Sequence, residues 1–126
     1  MDKEIIHTDD APAPIGPYSQ AVKVGQFVFI SGQIAINPKT NQLETTDIET
    51  ETKRVMDNLK AIIEKAGLSF YHVVKTTIFL TDLGKFADVN KTYGSYFTAD
   101  FPARETVQVS ALPKGVNVEI SMVAFG

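Results

Sequence analysis

Residues 101–125 read FPARETVQVSALPKGVNVEISMVAF. Two β-rich runs, about 104 to 111 and 116 to 125, flank Leu112-Pro113-Lys114-Gly115, whose proline and glycine suit a reversal. Successive strand residues point to opposite faces, so Val107 and Val109 alternate with Arg104, Thr106 and Gln108. Val118, Ile120 and Met122 alternate in the same way with Asn117, Glu119 and Ser121. With the valines turned toward a core, Arg104, Thr106, Gln108 and Glu119 are expected on one outward face. A reversal centred on Pro113 and Lys114 sets Glu119 opposite Gln108, about 13 Å from Arg104 at about 3.3 Å per residue. Direct pairing of the two charges within one chain is therefore not expected, and a neighbouring subunit or a small anionic ligand is left to supply the missing contacts.

Upstream, the segments alternate in period. Ala21–Gly25 and Phe27–Gln33 read as two strands joined around Gly25 and Gln26. From Thr46 the spacing becomes helical: Ile48, Val55, Leu59, Ile62, Ile63 and Ala66 share one face. Thr46-x-x-Glu49 resembles a capping box and Gly67 a left-handed stop. Residues 72–80 are β-rich, and Phe86, Val89, Tyr93 and Phe97 mark a second amphipathic helix from about Gly84. Strands, helix, strand, helix, strands: two helices with one apolar stripe each cover one face of a sheet, an α+β arrangement in a single domain spanning 1–126. The opposite face carries Val123 and Phe125 beside Glu119, with Phe79 as a further candidate. A partly apolar face of that kind implies a homo-oligomer whose sheets pack together.

Composition narrows the chemistry. The net charge is −3 and the ten lysines are scattered, so the basic stripe of a nucleic-acid binder is missing. No segment approaches the roughly 20 apolar residues of a membrane helix, and the first residues do not resemble a signal peptide, which points to a cytoplasmic protein. Cysteine is absent, and His7 and His72 stand far apart without a ligand motif, so neither thiolate nor metal chemistry is expected. Walker, dinucleotide-binding and nucleophile-elbow motifs are missing as well.

Among the polar residues, Arg104 is one of only two arginines. Its planar fork matches a carboxylate in two-point geometry, although a surface ion pair is the ordinary alternative. Glu119 interrupts an apolar strand, where a carboxylate is costly once covered; it is read either as an exposed strand residue or as a general base that orients water. Three prolines between 12 and 17 force an extended surface loop that ends at Tyr18, a core ring or a hydroxyl offered to a ligand. Ser31-Gly32 either ends a strand or lets backbone approach a ligand closely, and Asn90 shares the second helix with Phe86 and Val89.

Together, A-P-x-x-I-G-P-Y-S-Q-A-V, F-x-S-G-Q-I, V-V-K-T-T-I-F-L-T-D-L, F-A-D-V-N and the P-A-R through V-E-I block resemble, in order and nearly end to end, segments of the reactive intermediate deaminase family, the YjgF type of imine deaminases. The resemblance implies a chorismate-mutase-like fold and a homotrimer with sites between subunits. It further implies cofactor-independent hydrolysis of 2-iminobutanoate or 2-iminopropanoate to the 2-oxo acid and ammonia. By the same resemblance Arg104 grips the substrate carboxylate, Glu119 orients or activates water, and Tyr18, Ser31, Gly32, Asn90 and the backbone at Thr106 complete the pocket. Thr106 stands where many members carry cysteine. Glu105 replaces a residue that is frequently small and, by strand parity, points away from the pocket. A non-catalytic carboxylate sensor or chaperone is the alternative, with an endoribonuclease disfavoured by the acidic charge.

Overall fold

The computed structural model describes residues 1–126. Six strands, β1 (Lys3–Ile6), β2 (Ala21–Val24), β3 (Phe27–Gln33), β4 (Val73–Leu80), β5 (Ala103–Gln108) and β6 (Val118–Phe125), form one mixed sheet with spatial order β1-β2-β3-β6-β4-β5. Two helices, α1 (Ile48–Lys65) and α2 (Phe86–Gly94), lie on one face of it. No helix is long and apolar enough to cross a membrane.

Helix α1 forms where the sequence places it. The cap is Asp47 rather than Thr46: its carboxylate accepts from Thr50 N at 2.8 Å and Thr50 Oγ1 at 3.0 Å, satisfying a donor left open by the first turn. At the far end Gly67 holds φ +81°, the left-handed conformation that ends the helix at little steric cost. Val55, Met56, Leu59, Ile62 and Ile63 of α1 and Val89 and Tyr93 of α2 pack on Val28, Ile30, Ile78, Leu80, Val118, Ile120 and Met122. That layer is the core, and its burial is the main force holding helices to sheet.

Strand pairing departs from expectation at the end of the chain. The 112–115 reversal is present, but β5 and β6 do not pair with each other; β4 lies between them, parallel to β5 and antiparallel to β6. The loop simply carries the chain past β4. Strand β1, which the apolar pattern did not announce, adds an antiparallel edge on β2.

The sheet's second face has no covering layer. Phe27, Phe29, Val107 and Phe125 are 39–46% exposed there, and the Phe27 ring meets Phe125 edge to face at 4.9 Å and stacks 6.0 Å from Phe29.

Gly67 tests the helix stop on its own, because a Cβ there meets nothing within 4 Å and only backbone strain changes. Gly67→Ala should lower unfolding free energy by about 1 to 2 kcal/mol in urea titration, the ordinary cost of a left-handed non-glycine residue.

Candidate functional site

Register decides where the two charged candidates point. Glu119 pairs with Phe79, which pairs with Val107, and this row faces the uncovered side of the sheet. Arg104 pairs with Thr76, which is fully buried beneath the helices and takes a 2.9 Å hydrogen bond from the Tyr93 hydroxyl. Arg104 and Thr106 therefore belong to the helix face, and Val107 to the open one, the reverse of the parity expected for β5. The reason lies at the sheet edge: α2 covers β5 only partly, so polar side chains occupy its helix side, while the open face is apolar enough to suit a valine. Glu105 does point away from Arg104. It shares the open face with Glu119, where it takes the Thr77 hydroxyl and pairs with Lys75 at 2.9 Å.

On the helix face the Arg104 guanidinium sits 5.5 Å from the Phe86 ring centroid and 5.2 Å from that of Tyr93, held by cation–π attraction to both. Asn90 lies between these two rings in sequence, at helical spacing on the same side of α2. Arg104 has no carboxylate partner, and the nearby Thr106 hydroxyl is buried without a hydrogen bond. Arg104, Asn90 and Thr106 thus form a polar group at an exposed sheet edge, with an unpaired cation at its centre.

The remaining candidates gather on the opposite face. Ser31 and Gly32 form a bulge on β3, two residues facing one on β6 between the Ile30–Met122 and Gln33–Ile120 pairs. Bulges re-aim the chain beside functional sites. Here the bulge opens a cavity of about 420 Å³ lined by Pro12, Ile15, Tyr18, Ile34, Pro113 and Glu119, among others. Gly32 lies against the acid: a Cβ on it would come within 2.5 Å of Glu119 Oε2, so a larger residue would push the carboxylate aside. The Ser31 hydroxyl donates to Ser19 O at 2.6 Å, tying the end of the proline loop to β3. Tyr18 is half exposed, and its phenol oxygen accepts from Ile15 N at 3.4 Å.

Glu119 has no hydrogen bond or ion pair within the chain, and burial alone pushes its carboxyl above the ordinary carboxylate range. A half-buried, unpaired acid in a mostly apolar cavity, its carboxyl raised above the ordinary range, holds its proton more tightly than a solvated one and is suited to proton exchange with a substrate. A smaller cleft of about 270 Å³, lined by Phe70, Tyr71, Tyr96 and Phe97, offers one acid and one amine, Glu64 and Lys60, both exposed. No group of three or more acidic or histidine side chains converges as metal ligands would.

Tyr18, Ser31, Gly32 and Glu119 therefore meet in one chain, while Arg104, Asn90 and Thr106 meet elsewhere. Two strand spacings separate Arg104 from Met122 and three residues separate Met122 from Glu119, about 14 Å in all, with the sheet between the side chains. Sequence reasoning missed the Phe86–Arg104–Tyr93 stack. Its signal was available in Phe86 and Tyr93, seven residues apart on a short helix, the first of them 39% exposed.

Comparison with known proteins completes the description. The family model described as Endoribonuclease L-PSP matches residues 8–125. The 2-iminobutanoate/2-iminopropanoate deaminase of Escherichia coli (strain K12) is 48% identical over 122 residues, covering 94% of each chain. The crystal structure of YyfA of Yersinia pestis, from the conserved Rid protein family, superposes with a TM-score of 0.97 at 47% identity, covering 99% of this chain and 100% of that one. The structure of E. coli TdcF with bound serine gives a TM-score of 0.94 at 42% identity, covering 98% of both.

The Glu119 environment makes a prediction about pH. A carboxyl raised on folding binds its proton more tightly in the folded chain, so stability is fullest below the unfolded value and falls as pH rises through the folded one. Glu119→Gln cannot ionise. Thermal melts of native and variant protein should lie closest below about pH 4 and separate toward neutrality with the variant more stable; an offset independent of pH would contradict this.

Proposed function

The chain belongs to the endoribonuclease L-PSP family, which includes the Rid proteins of the YjgF type, and from that premise we propose that it hydrolyses short reactive 2-imino acids to 2-oxo acids and ammonia. The observation that carries the reading is the division of the site: an unpaired arginine at an exposed edge, and an unpaired acid in a cavity on the other face. A small imino acid needs both, a cation for its carboxylate and a proton acceptor for the attacking water. We take the working unit to be a homotrimer in which the β5 edge of one copy lies over the Glu119 cavity of the next. The exposed Phe27, Phe29 and Phe125 cluster is the surface that this packing would bury.

The chemistry is simple in that setting. Arg104 of one copy holds the substrate carboxylate through two parallel hydrogen bonds, with its own direction fixed by the Phe86 and Tyr93 rings. Glu119 of the other takes a proton from water as the oxygen adds to the iminium carbon. Glu119 returns that proton to nitrogen and then takes the adduct's hydroxyl proton, so the tetrahedral adduct collapses with the C–N bond breaking, the C=O bond forming, and ammonia and the 2-oxo acid leaving. A protonated imine is already electrophilic, so positioning and proton transfer supply the acceleration. Gly32 leaves the carboxylate room to work, and Ile15, Ile34 and Ile36 favour a short aliphatic side chain over a charged one.

The family's name, endoribonuclease L-PSP, also raises ribonuclease activity. A chain of net charge −3 with two arginines has little to attract polyphosphate, and His7 and His72 do not line the Glu119 cavity. A binding-only role, as a sensor of small carboxylates, is the stronger competitor; it needs Arg104 but not Glu119.

Loss of semicarbazide-trappable imine, generated from threonine by a dehydratase, tests the proposal. Native protein should accelerate the loss and Glu119→Gln should not. Arg104→Lys keeps charge but not the two-point grip, and should cost on the order of 2 to 5 kcal/mol in kcat/KM. Full activity in the glutamine variant would remove the acid–base role of Glu119, binding without turnover by native protein would favour the sensor, and unchanged kcat/KM in the lysine variant would remove the anchor.

A further inference from the structure

Three polar side chains that are almost fully buried, Gln20, Glu51 and Asn58, stand beside the cavity, and each grips a different wall. Gln20 at its base accepts from Thr8 N at 2.8 Å and donates through Nε2 to Thr8 O at 3.0 Å, Pro12 O at 2.9 Å and Ala11 O at 3.3 Å. That bolts the proline loop. From α1, Asn58 Nδ2 donates to Ile34 O at 3.1 Å and Ile36 O at 3.0 Å, holding the chain beyond β3. One turn into α1, Glu51 Oε2 accepts from Asn117 N at 2.7 Å and Val118 N at 2.9 Å, and Oε1 from Asn117 Nδ2 at 2.8 Å.

Glu51 and Asn58 occupy core-facing positions of α1, among Thr52, Val55 and Leu59, where an aliphatic side chain would pack without any polar cost. Burying a carboxylate there is expensive unless its oxygens are paired, and here both accept, from three backbone and side-chain donors at the start of β6. Those donors lie one and two residues from Glu119. Glu119 in turn stands so close to Gly32 that a single methyl group would collide with it. An ångström of slack at residues 117–118 would therefore move the carboxylate by a distance that matters to a proton transfer.

We propose that Gln20, Asn58 and Glu51 are positioning residues that fix the cavity walls, Gln20 from its base and Asn58 and Glu51 from behind it, and that Glu51 in particular sets the place of Glu119. This rests on the imine hydrolysis reading for its kinetic consequence, and on geometry alone for its structural one. Glu51 touches β6, whereas Arg104 lies on β5 against the rings of α2, so loss of Glu51 should spare carboxylate binding and fall on the chemical step.

The experiment compares Glu51→Ala, Glu51→Asp and Glu51→Gln with native protein, by imine trapping and by amide hydrogen exchange at residues 117–119. Glu51→Ala should lose on the order of 10- to 100-fold in kcat with KM little changed, and exchange faster at 117–119. In Glu51→Gln one oxygen still accepts the two backbone N–H groups, and Asn117 can turn its own oxygen to the new amide, so kcat and exchange should return close to native. Should the alanine variant fail to fold, Glu51→Asp, shorter by one methylene with the charge kept, should show a smaller loss in kcat at constant KM. Native kcat in a folded alanine or aspartate variant, parallel losses in kcat and binding, or no rescue by glutamine would each overturn the proposal. Native protein without imine hydrolysis would overturn the functional reading instead, and unchanged exchange at 117–119 would then overturn the placement independently.

Discussion

A pleated sheet cannot show one residue on both of its faces, and the site follows from that constraint. β4 runs between β5 and β6, so Arg104 takes its direction from Thr76 and the helices, and Glu119 takes the opposite direction from Phe79 and the open face. No rotamer brings them together through the sheet. Each is nonetheless left in a condition that invites a partner: a guanidinium held between two rings with no counter-charge, and a carboxylate raised above its ordinary range by burial alone.

The same geometry reconciles stability with function. Leaving an acid unpaired in a cavity costs folding free energy at neutral pH, and the fold offsets it in the layer on the other face, where α1 and α2 close over β3, β4 and β6. Polar residues inside that layer are not accidents of composition. Gln20, Glu51 and Asn58 place their hydrogen bonds on three separate segments, the proline loop, the start of β6 and the chain beyond β3, and satisfy backbone groups there.

Much of this was legible in the amino-acid order. The helical period of 48–66, the Gly67 stop, the hairpin around Gly25 and the two-helices-on-one-face layering follow from local patterns whose physics is local. β6 was read with the correct parity because both of its faces have consistent partners, core on one side and Phe27, Phe29 and Phe125 on the other. β5 was not. At an edge strand only half covered by α2, polarity ceases to report which side is inside, and an assumed hairpin with β6 hid the intervening β4. The capping position slipped by one residue, from Thr46 to Asp47, within the ordinary ambiguity of neighbouring caps. Tyr18, Ser31, Gly32 and Glu119 line one cavity within the chain, whereas the separation of Arg104 and Thr106 from them depends on long-range pairing that no local window contains.

The central claim, that one copy supplies the cation and another the acid, is tested by mixing. Arg104→Ala and Glu119→Gln chains, each inactive alone, should regain imine hydrolysis when unfolded and refolded together, because random assembly places a native Arg104 against a native Glu119 in about a quarter of the clefts. Activity that stays at the level of the separate variants, in assemblies shown to be mixed, would contradict a site shared between copies.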